Sequence, residues 1–187
     1  MAKEEKSKFR RKLRWFLDHL MAVISIILVV IVFGGAYYFV IAPNMVAKPF
    51  IPNPGLPKDA LSRINAGEEV INSSHINYLI NEIGAYKLKK LFGTKKYPIM
   101  EFVLTDINQR YYAYVKDHIP ITKKGNAKDE DIVMEGSQET VVEILEDVDL
   151  VGEVRNAKDD GRIKVDLVAS MKTLASKGYL SLYDTLK

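Results

Sequence analysis

The sequence predicts an α+β protein in which an N-terminal single transmembrane helix precedes a mixed β-sheet of four or five strands with helices packed on one face. Three observations predict this class. A continuous apolar run fills 21–42, strand-like patterns dominate the middle of the remaining chain, and helical periodicity lies on both sides of those strands. Because the strands are grouped and do not alternate one by one with helices, the pattern favours α+β over repeated βαβ units.

The apolar run at 21–42 predicts a transmembrane helix. It carries no charged side chain, and its only small hydroxyl belongs to Ser25. A helix of this length spans about 33 Å, which matches the roughly 30 Å hydrocarbon layer of a bilayer. The run also exceeds the apolar core of a signal peptide, which has about 7–15 residues. We therefore expect a retained anchor, with a cleaved signal peptide, a pilin-like leader or a buried helix as the alternatives.

The charges beside this run predict its orientation. The tail 1–20 holds seven basic residues against three acidic ones, a net charge of +4, whereas the first basic residue beyond the run is Lys48. Because short basic flanks stay on the cytoplasmic side, we expect a single-pass protein of the cell membrane. Its N-terminus is predicted to be cytoplasmic and its segment 43–187 extracytoplasmic. The lipid bilayer is thus the first expected partner.

Composition excludes several classes of function. The whole chain has a net charge of +3, so the part beyond the +4 tail carries −1. Such a domain offers no positive surface of the kind that binds nucleic acid. Cysteine is absent, which excludes disulfides, thiolate nucleophiles and cysteine-ligated metals. An outward-facing domain without disulfides weakly favours a prokaryotic cell surface.

No motif for catalysis or cofactor binding is recognisable. The patterns G-x-G-x-x-G, G-x-x-x-x-G-K-[ST], H-E-x-x-H and G-x-S-x-G do not occur. His19, His75 and His118 stand far apart, and the acidic runs 129–131 and 159–160 are typical of loops and turns. We therefore expect a protein that is not an enzyme, with no catalytic residue, no metal ligand and no cofactor.

Proline marks the boundary between the anchor and the folded domain. Five of the seven prolines fall within 43–58. Because proline lacks a backbone donor and stiffens the chain, we predict a semi-rigid spacer there, followed by a domain at 59–187. Asn72, with Ser73 and Ser74 after it, matches the N-glycosylation triplet, which matters only if this domain faces outward.

The first part of the domain has helical periodicity. A short helix is predicted over 58–66 and a longer one over 74–92, where apolar residues recur at three- and four-residue spacing. Ser73 or Ser74 is the expected cap of the longer helix, and Gly93 is its expected stop.

Strands follow this helix. Residues 99–105 and 111–116 are rich in aromatic and branched side chains and predict a hairpin. Further strands are expected at 118–122, 131–135 and 162–168. In the last of them, alternation predicts that the inward-facing side chains are Ile163, Val165 and Leu167.

Two more helices complete the domain. Ser137 caps one whose apolar stripe runs from Val141 to Val148. The other occupies 171–187 and bends at Gly178, since glycine tolerates backbone angles that other residues avoid. The segment 148–160 is polar, and we assign it no element before the turn at its end.

Two stretches resemble the sterol carrier protein 2-like (SCP2) family, in which a strand ends in a Gly-Ser helix start and is followed by a helix and then by a Gly-Lys-hydrophobic-x-hydrophobic strand. The first stretch is Asp131-Ile132-Val133-Met134-Glu135-Gly136-Ser137 with the helix through Glu146, and the second is Gly161-Arg162-Ile163-Lys164-Val165. The resemblance covers 74–187. It implies a mixed sheet, a hydrophobic cavity between sheet and helices, and lipid binding without catalysis.

The resemblance and the helical stripes together predict a ligand site. If the segment 171–187 packs as a lid over the sheet, the space beneath it is the cavity. The expected lining consists of apolar side chains from the strands and helices, namely Phe102, Leu104, Val141, Leu145, Ile163, Val165, Leu174, Leu182 and Leu186.

Two functional hypotheses result. The first is a non-catalytic, membrane-tethered module that binds a lipid or fatty-acyl ligand. The alternative is a membrane-anchored structural or protein-interaction domain with a solid core, no ligand and a membrane protein partner. A basic patch is either a solvated helix face or a contact to anionic headgroups, and it comprises Lys87, Lys89, Lys90, Lys95 and Lys96.

Overall fold

The computed structural model describes residues 2–37, 45–91 and 93–185, and divides the chain into two compact units, Met1–Ala42 and Pro43–Lys187. The first unit contains helix α1, Ala2–Ala36. Its stretch His19–Ala36 has a mean hydropathy of 2.5, and none of it is buried. By length and composition this helix can cross a membrane. The remainder of the predicted span, 38–42, lies outside the described residues.

A five-stranded mixed sheet organises the second unit, which confirms the α+β prediction. The strands are β1 (Ile99–Leu104), β2 (Gln109–Lys116), β3 (Ile119–Lys124), β4 (Ile132–Gly136) and β5 (Ile163–Leu167). Their spatial order is β3-β2-β1-β4-β5. β1 and β4 run parallel, with Phe102 opposite Met134, and the other neighbours pair antiparallel. The predicted hairpin is formed by β1 and β2.

Among the described residues of this unit, six helices accompany the sheet. They are α2 (Ala60–Asn65), α3 (Ser73–Glu82), α4 (Gln138–Glu146), α5 (Leu150–Asp159), α6 (Met171–Lys177) and α7 (Tyr179–Thr185), with a 3-10 turn at Ala85–Lys87. Their buried side chains join those of one sheet face, among them Met100, Phe102 and Leu104, in a single hydrophobic core. We refer to the opposite face, which carries Glu101 and Val103, as the second face of the sheet.

Helix α3 is shorter than the predicted helix 74–92. It ends at Glu82 because Gly84, with φ 103°, adopts the left-handed conformation that terminates helices. The predicted stop at Gly93 is therefore wrong. The predicted cap at Ser73 or Ser74 is also wrong, since the Asn72 side chain accepts hydrogen bonds from the backbone N–H groups of Ser74 and His75.

The middle of the domain contains a helix that the sequence analysis missed. Ser137 caps α4 as predicted, and its Oγ accepts from the Thr140 N–H at 3.1 Å. However, α4 ends at Glu146, and Val148 is fully exposed, so it does not extend the apolar stripe. The segment that follows forms α5, which buries Leu150, Val154 and Ala157.

Strand β5 faces the core only at its beginning. Ile163 is buried and Val165 is half-buried, but Leu167 is 55% exposed. The prediction that Leu167 points into the core is therefore wrong. β5 is an edge strand, and its last residue extends beyond the helices that cover the strand's start.

The proline-rich segment contacts the domain. Asn81 Nδ2 donates to the Pro49 carbonyl oxygen at 3.2 Å, and His75 Nε2 lies 2.9 Å from the Gly55 carbonyl oxygen. Leu56 packs against the hydrophobic core. Since His75 Nδ1 accepts from the Asn72 N–H at 3.2 Å, both contacts agree with a proton on Nε2. The predicted spacer thus lies along α3 over much of its length.

Candidate ligand-binding groove

An apolar groove of about 540 Å³ lies between β5, the end of α5 and α7. Its volume falls within the range of about 300–1,000 Å³ that small-molecule sites occupy. Most of its lining is aliphatic or aromatic, and a smaller part is polar or glycine. The lining comprises Ile132, Ile163, Val165, Leu167, Tyr179, Leu182 and Tyr183, together with Lys158, Gly161 and Lys164.

The reversal between α6 and α7 positions one wall of this groove. Ser170 caps α6 by accepting from the Thr173 N–H at 3.3 Å, and the Gly178 N–H closes the helix on the Ala175 carbonyl. Gly178 has φ 91°, which L-amino acids rarely adopt, and a Cβ there would lie 3.4 Å from the Lys87 carbonyl oxygen. The predicted bend at Gly178 is confirmed, and it directs Tyr179 back toward the sheet.

A buried ion pair fixes this reversal to the sheet. Lys177 Nζ donates to both carboxylate oxygens of Asp131, at 2.7 and 2.8 Å, and to the Tyr97 carbonyl oxygen at 2.9 Å. The Lys177 and Asp131 side chains are only 4% and 2% exposed. Three acceptors match the three N–H donors of the ammonium group. The two charges are therefore paired, fully hydrogen-bonded and almost entirely shielded from water.

Tyr179 links this ion pair to the groove. Its hydroxyl lies 3.1 Å from Asp131 Oδ2 and 3.3 Å from the Ile99 carbonyl oxygen, while the Ile99 N–H donates to Asp131 Oδ2 at 2.8 Å. Burial, and then the nearby Asp131 charge, raises the pKa of the Tyr179 hydroxyl well above its ordinary value. Tyr179 therefore stays neutral at physiological pH, and its ring lines the groove.

The structure separates the predicted lining residues into two groups. Ile163, Val165 and Leu182 line the groove. The others that it describes lie in the continuous core, and their side chains are between 0% and 9% exposed: Phe102, Leu104, Val141, Leu145 and Leu174. Leu186 lies outside the described residues. The ligand hypothesis thus concerns the β5–α7 edge of the predicted cavity.

Seven groove residues were absent from the lining predicted from sequence, namely Ile132, Lys158, Gly161, Lys164, Leu167, Tyr179 and Tyr183. Tyr179 and Tyr183 stand four residues apart on α7 with Leu182 beside them, the spacing that places side chains on one helix face. That spacing was available in the sequence. Ile132 opens β4, and only the sheet order reveals that it lies next to β5.

Two further kinds of site were considered from the sequence, the glycosylation triplet at Asn72 and a metal site. Asn72 is exposed, and its side-chain oxygen caps α3. Within the described ranges, no three His, Asp or Glu side chains approach closely enough to hold a metal ion.

The chain resembles known proteins only at the level of solved structures. No family model matches this chain, and no curated protein matches it. Among solved structures, the inverting sec-alkylsulfatase Pisa1 from Pseudomonas sp. shares 17% identity at a TM-score of 0.30, covering 45% of this chain and 13% of its own length. The UbiJ-SCP2 ubiquinone synthesis protein shares 10% identity at a TM-score of 0.36, covering 62% of this chain and 95% of its own.

A third solved structure belongs to a conserved hypothetical protein from Thermus thermophilus, whose description suggests a sterol carrier protein. It shares 15% identity at a TM-score of 0.31 and covers 60% of this chain and 76% of its own. All three TM-scores lie below 0.5.

Proposed function

We propose that this protein is a non-catalytic, membrane-tethered module that binds a lipid or fatty-acyl ligand in the groove between β5 and α7. The observation that carries the proposal is the apolar lining of that groove, which combines aliphatic side chains with the rings of Tyr179 and Tyr183. An apolar concavity with a few polar groups at its edge is the usual form of a site for a hydrophobic ligand. The SCP2-like segments described above agree with this class of ligand.

The polar edge of the groove suits an acidic head group. Lys158 and Lys164 both line it. Lys164 Nζ donates to Asp166 at 2.6 Å, and that hydrogen bond raises the pKa of Lys164. Lys164 therefore remains a cation. A fatty acid could place its chain against Val165 and Leu182 and its carboxylate near the side-chain nitrogens of Lys158 and Lys164.

Exposed apolar side chains next to the groove favour a bilayer as the source of the ligand. Leu167 and Tyr183 line the groove and are 55% and 57% exposed. Val168 and Met171, which follow Leu167 in the chain, are 53% and 63% exposed. Clustered apolar exposure of this kind marks surfaces that contact proteins or membranes. We place the anchor in the cell membrane, with the N-terminus cytoplasmic and the domain extracytoplasmic.

Photo-crosslinking tests this proposal. The full chain in phosphatidylcholine nanodiscs is irradiated with a diazirine-labelled palmitic acid, and the labelled peptides are mapped by mass spectrometry. We expect labels within 158–183, outside α1, and an excess of unlabelled palmitate should remove them. The groove-filling variant Leu167→Trp should lose most of this labelling.

Val168→Trp is the matched control, since it adds the same ring one residue later at equal exposure but outside the groove lining. It should label like the parent protein. Labelling confined to α1, or equal labelling of both variants, would contradict the proposal.

The alternative function is a membrane-anchored interaction domain without a ligand. The observation that favours it is that β3 and β5 are both edge strands of the described sheet, because an unpaired edge can accept a strand from a partner. In the same nanodiscs, this alternative predicts no specific palmitate label and the appearance of a defined complex with a membrane protein.

A further inference from the structure

A second cavity, of about 660 Å³, opens on the second face of the sheet, away from the proposed lipid groove. It lies between the segment before β1, the loop between β3 and β4, strand β2 and helix α6. Its lining comprises Lys95, Lys96, Tyr97, Ile99, Tyr112, Tyr114, Asn126, Lys128, Asp129, Glu130, Asp131, Ala169, Thr173 and Lys177. None of the predicted ligand-binding residues belongs to this set.

Three tyrosines give the cavity an aromatic wall. Tyr112 and Tyr114 are two residues apart on β2 and therefore point to the same side of the sheet. The Tyr97 and Tyr114 ring centroids are 6.4 Å apart at an interplanar angle of 54°. All three rings are half-buried. No hydrogen bond inside the described part of the chain engages their hydroxyls, so this wall offers flat apolar surface with free polar tips.

The rim of the cavity is more basic than acidic. Lys95, Lys96 and Lys128 face Asp129 and Glu130, and none of these five has an ion-pair partner among the described residues. Lys123, whose Nζ lies 5.7 Å from the Tyr114 ring centroid, adds a further cation beside the wall. Because the Lys123 ammonium group already lies over the face of the Tyr114 ring, its positive charge would repel a cationic ligand there.

The charged groups at the floor of the cavity are held by each other and do not offer a site for a charged ligand. Asp131 and Lys177 line the floor, but all three N–H donors of Lys177 are already hydrogen-bonded to Asp131 and to the Tyr97 carbonyl. A ligand therefore meets a neutral, fixed floor and aromatic walls, and it finds unpaired cations only at the rim. This arrangement orients a ligand with its ring inward and its anionic group outward.

From this geometry we infer that the cavity is a second binding site, for a compound that joins a flat ring system to an anionic group such as a carboxylate, sulfonate or phosphate. The site shares no lining residue with the groove between β5 and α7. The test of this second site is therefore independent of the test of lipid binding. The expected ligand differs in shape from a flexible acyl chain, because the flat faces of tyrosine rings favour planar partners.

Calorimetric titration of the full chain in phosphatidylcholine nanodiscs tests the inference, with empty nanodiscs as the blank. Naphthalene-2-sulfonate should bind. 2-Naphthalenemethanol, which keeps the ring without the charge, and 1-hexanesulfonate, which keeps the charge without the ring, should each bind about tenfold more weakly or not at all. No binding of naphthalene-2-sulfonate at millimolar concentration, or equal binding of the neutral alcohol, would overturn the inference.

Matched variants locate the site. Tyr112→Leu and Tyr114→Leu should each weaken the sulfonate, whereas Tyr183→Leu, which alters the other groove, should not. Replacing the rim lysines together (Lys95→Gln, Lys96→Gln, Lys128→Gln) should weaken binding about tenfold, since one exposed ion pair changes an equilibrium by roughly 1.4- to 5-fold.

The control with the same loss of charge replaces exposed lysines outside the lining (Lys58→Gln, Lys116→Gln, Lys172→Gln). It should bind like the parent protein. Equal weakening by both triple variants would refute a local site and indicate nonspecific attraction to net charge. Circular dichroism confirms that each variant keeps its fold, so that lost binding reports on the cavity.

Discussion

Removing one partner of the buried Asp131–Lys177 pair should destabilise the domain strongly. Lys177→Met keeps most of the length of the side chain but deletes three hydrogen bonds, two to Asp131 and one to the Tyr97 carbonyl. It leaves the Asp131 carboxylate, which is 2% exposed, with only the Ile99 N–H and the Tyr179 hydroxyl. A buried charge that loses its partner costs about 3–5 kcal/mol.

That loss is large compared with a total stability of about 5–15 kcal/mol for a domain. With a urea dependence of about 2 kcal/mol per molar, the midpoint of unfolding should fall by about 2 M. The only tryptophan is Trp15, in the tail that precedes the domain. Pulse proteolysis of the full chain in nanodiscs is therefore the suitable assay, because it follows unfolding of the domain without a fluorescent reporter.

A double-variant cycle separates the pair from ordinary packing. Asp131→Asn combined with Lys177→Met removes both charges and should be less destabilised than the sum of the single variants, with a coupling of about 1–3 kcal/mol. Lys172→Met, on the exposed side of the same helix, should change stability by less than about 0.5 kcal/mol. A cost below about 1 kcal/mol for Lys177→Met would refute the reasoning.

Four further predictions concern the turn at Gly178, two tyrosines, the proline-rich segment and the anchor. Gly178→Ala should cost about 1–2 kcal/mol in urea unfolding, because alanine is strained at φ 91°. Burial and Glu69 raise the pKa of Tyr111, and burial and Asp131 raise that of Tyr179. The unfolded chain releases these protons near pH 10 and the folded domain keeps them, so stability should fall above about pH 10. Ultraviolet titration should show that Tyr111 and Tyr179 ionise only when the domain unfolds. A fragment 45–187 should melt at a higher temperature than 59–187, because only the longer one keeps the Pro49 and Gly55 contacts to α3. Protease added to intact spheroplasts should digest the domain and spare the tail, and protection of 60–187 would contradict the proposed orientation.

Elements that depend on local pattern were predictable from the sequence. The β1–β2 hairpin follows from two aromatic-rich runs around a polar turn, and the α4 cap follows from Ser137. The bend at Gly178 follows from the conformational freedom of glycine. Each of these signals lies within a few residues of the element that it determines, so no knowledge of distant contacts is needed.

The errors in helix boundaries also have local causes. In 74–92 the helical spacing of apolar residues continues past Gly84. The prediction followed that spacing and ignored Gly84, the residue that ends the helix. Helix α5 was missed because its mean polarity obscured the three- and four-residue spacing of Leu150, Val154 and Ala157. Asp149, whose carboxylate accepts from the Gly152 N–H at 3.0 Å, was the cap that could have revealed it.

The Asp131–Lys177 pair shows why the floor of the second cavity could not be predicted from local sequence. Asp131 ends an acidic run that is typical of a solvated loop. In the fold it lies directly before β4, with the start of β1 on one side and the end of β5 on the other, and it is buried there. Lys177 follows Leu174 by three residues and so shares its buried helix face. A cation on an apolar face requires an anion nearby, because an unpaired charge does not persist in a core. An acidic residue directly before a buried strand is a suitable partner. The two residues are 46 positions apart, so a sequence can identify each as needing a countercharge, and the fold decides that they meet.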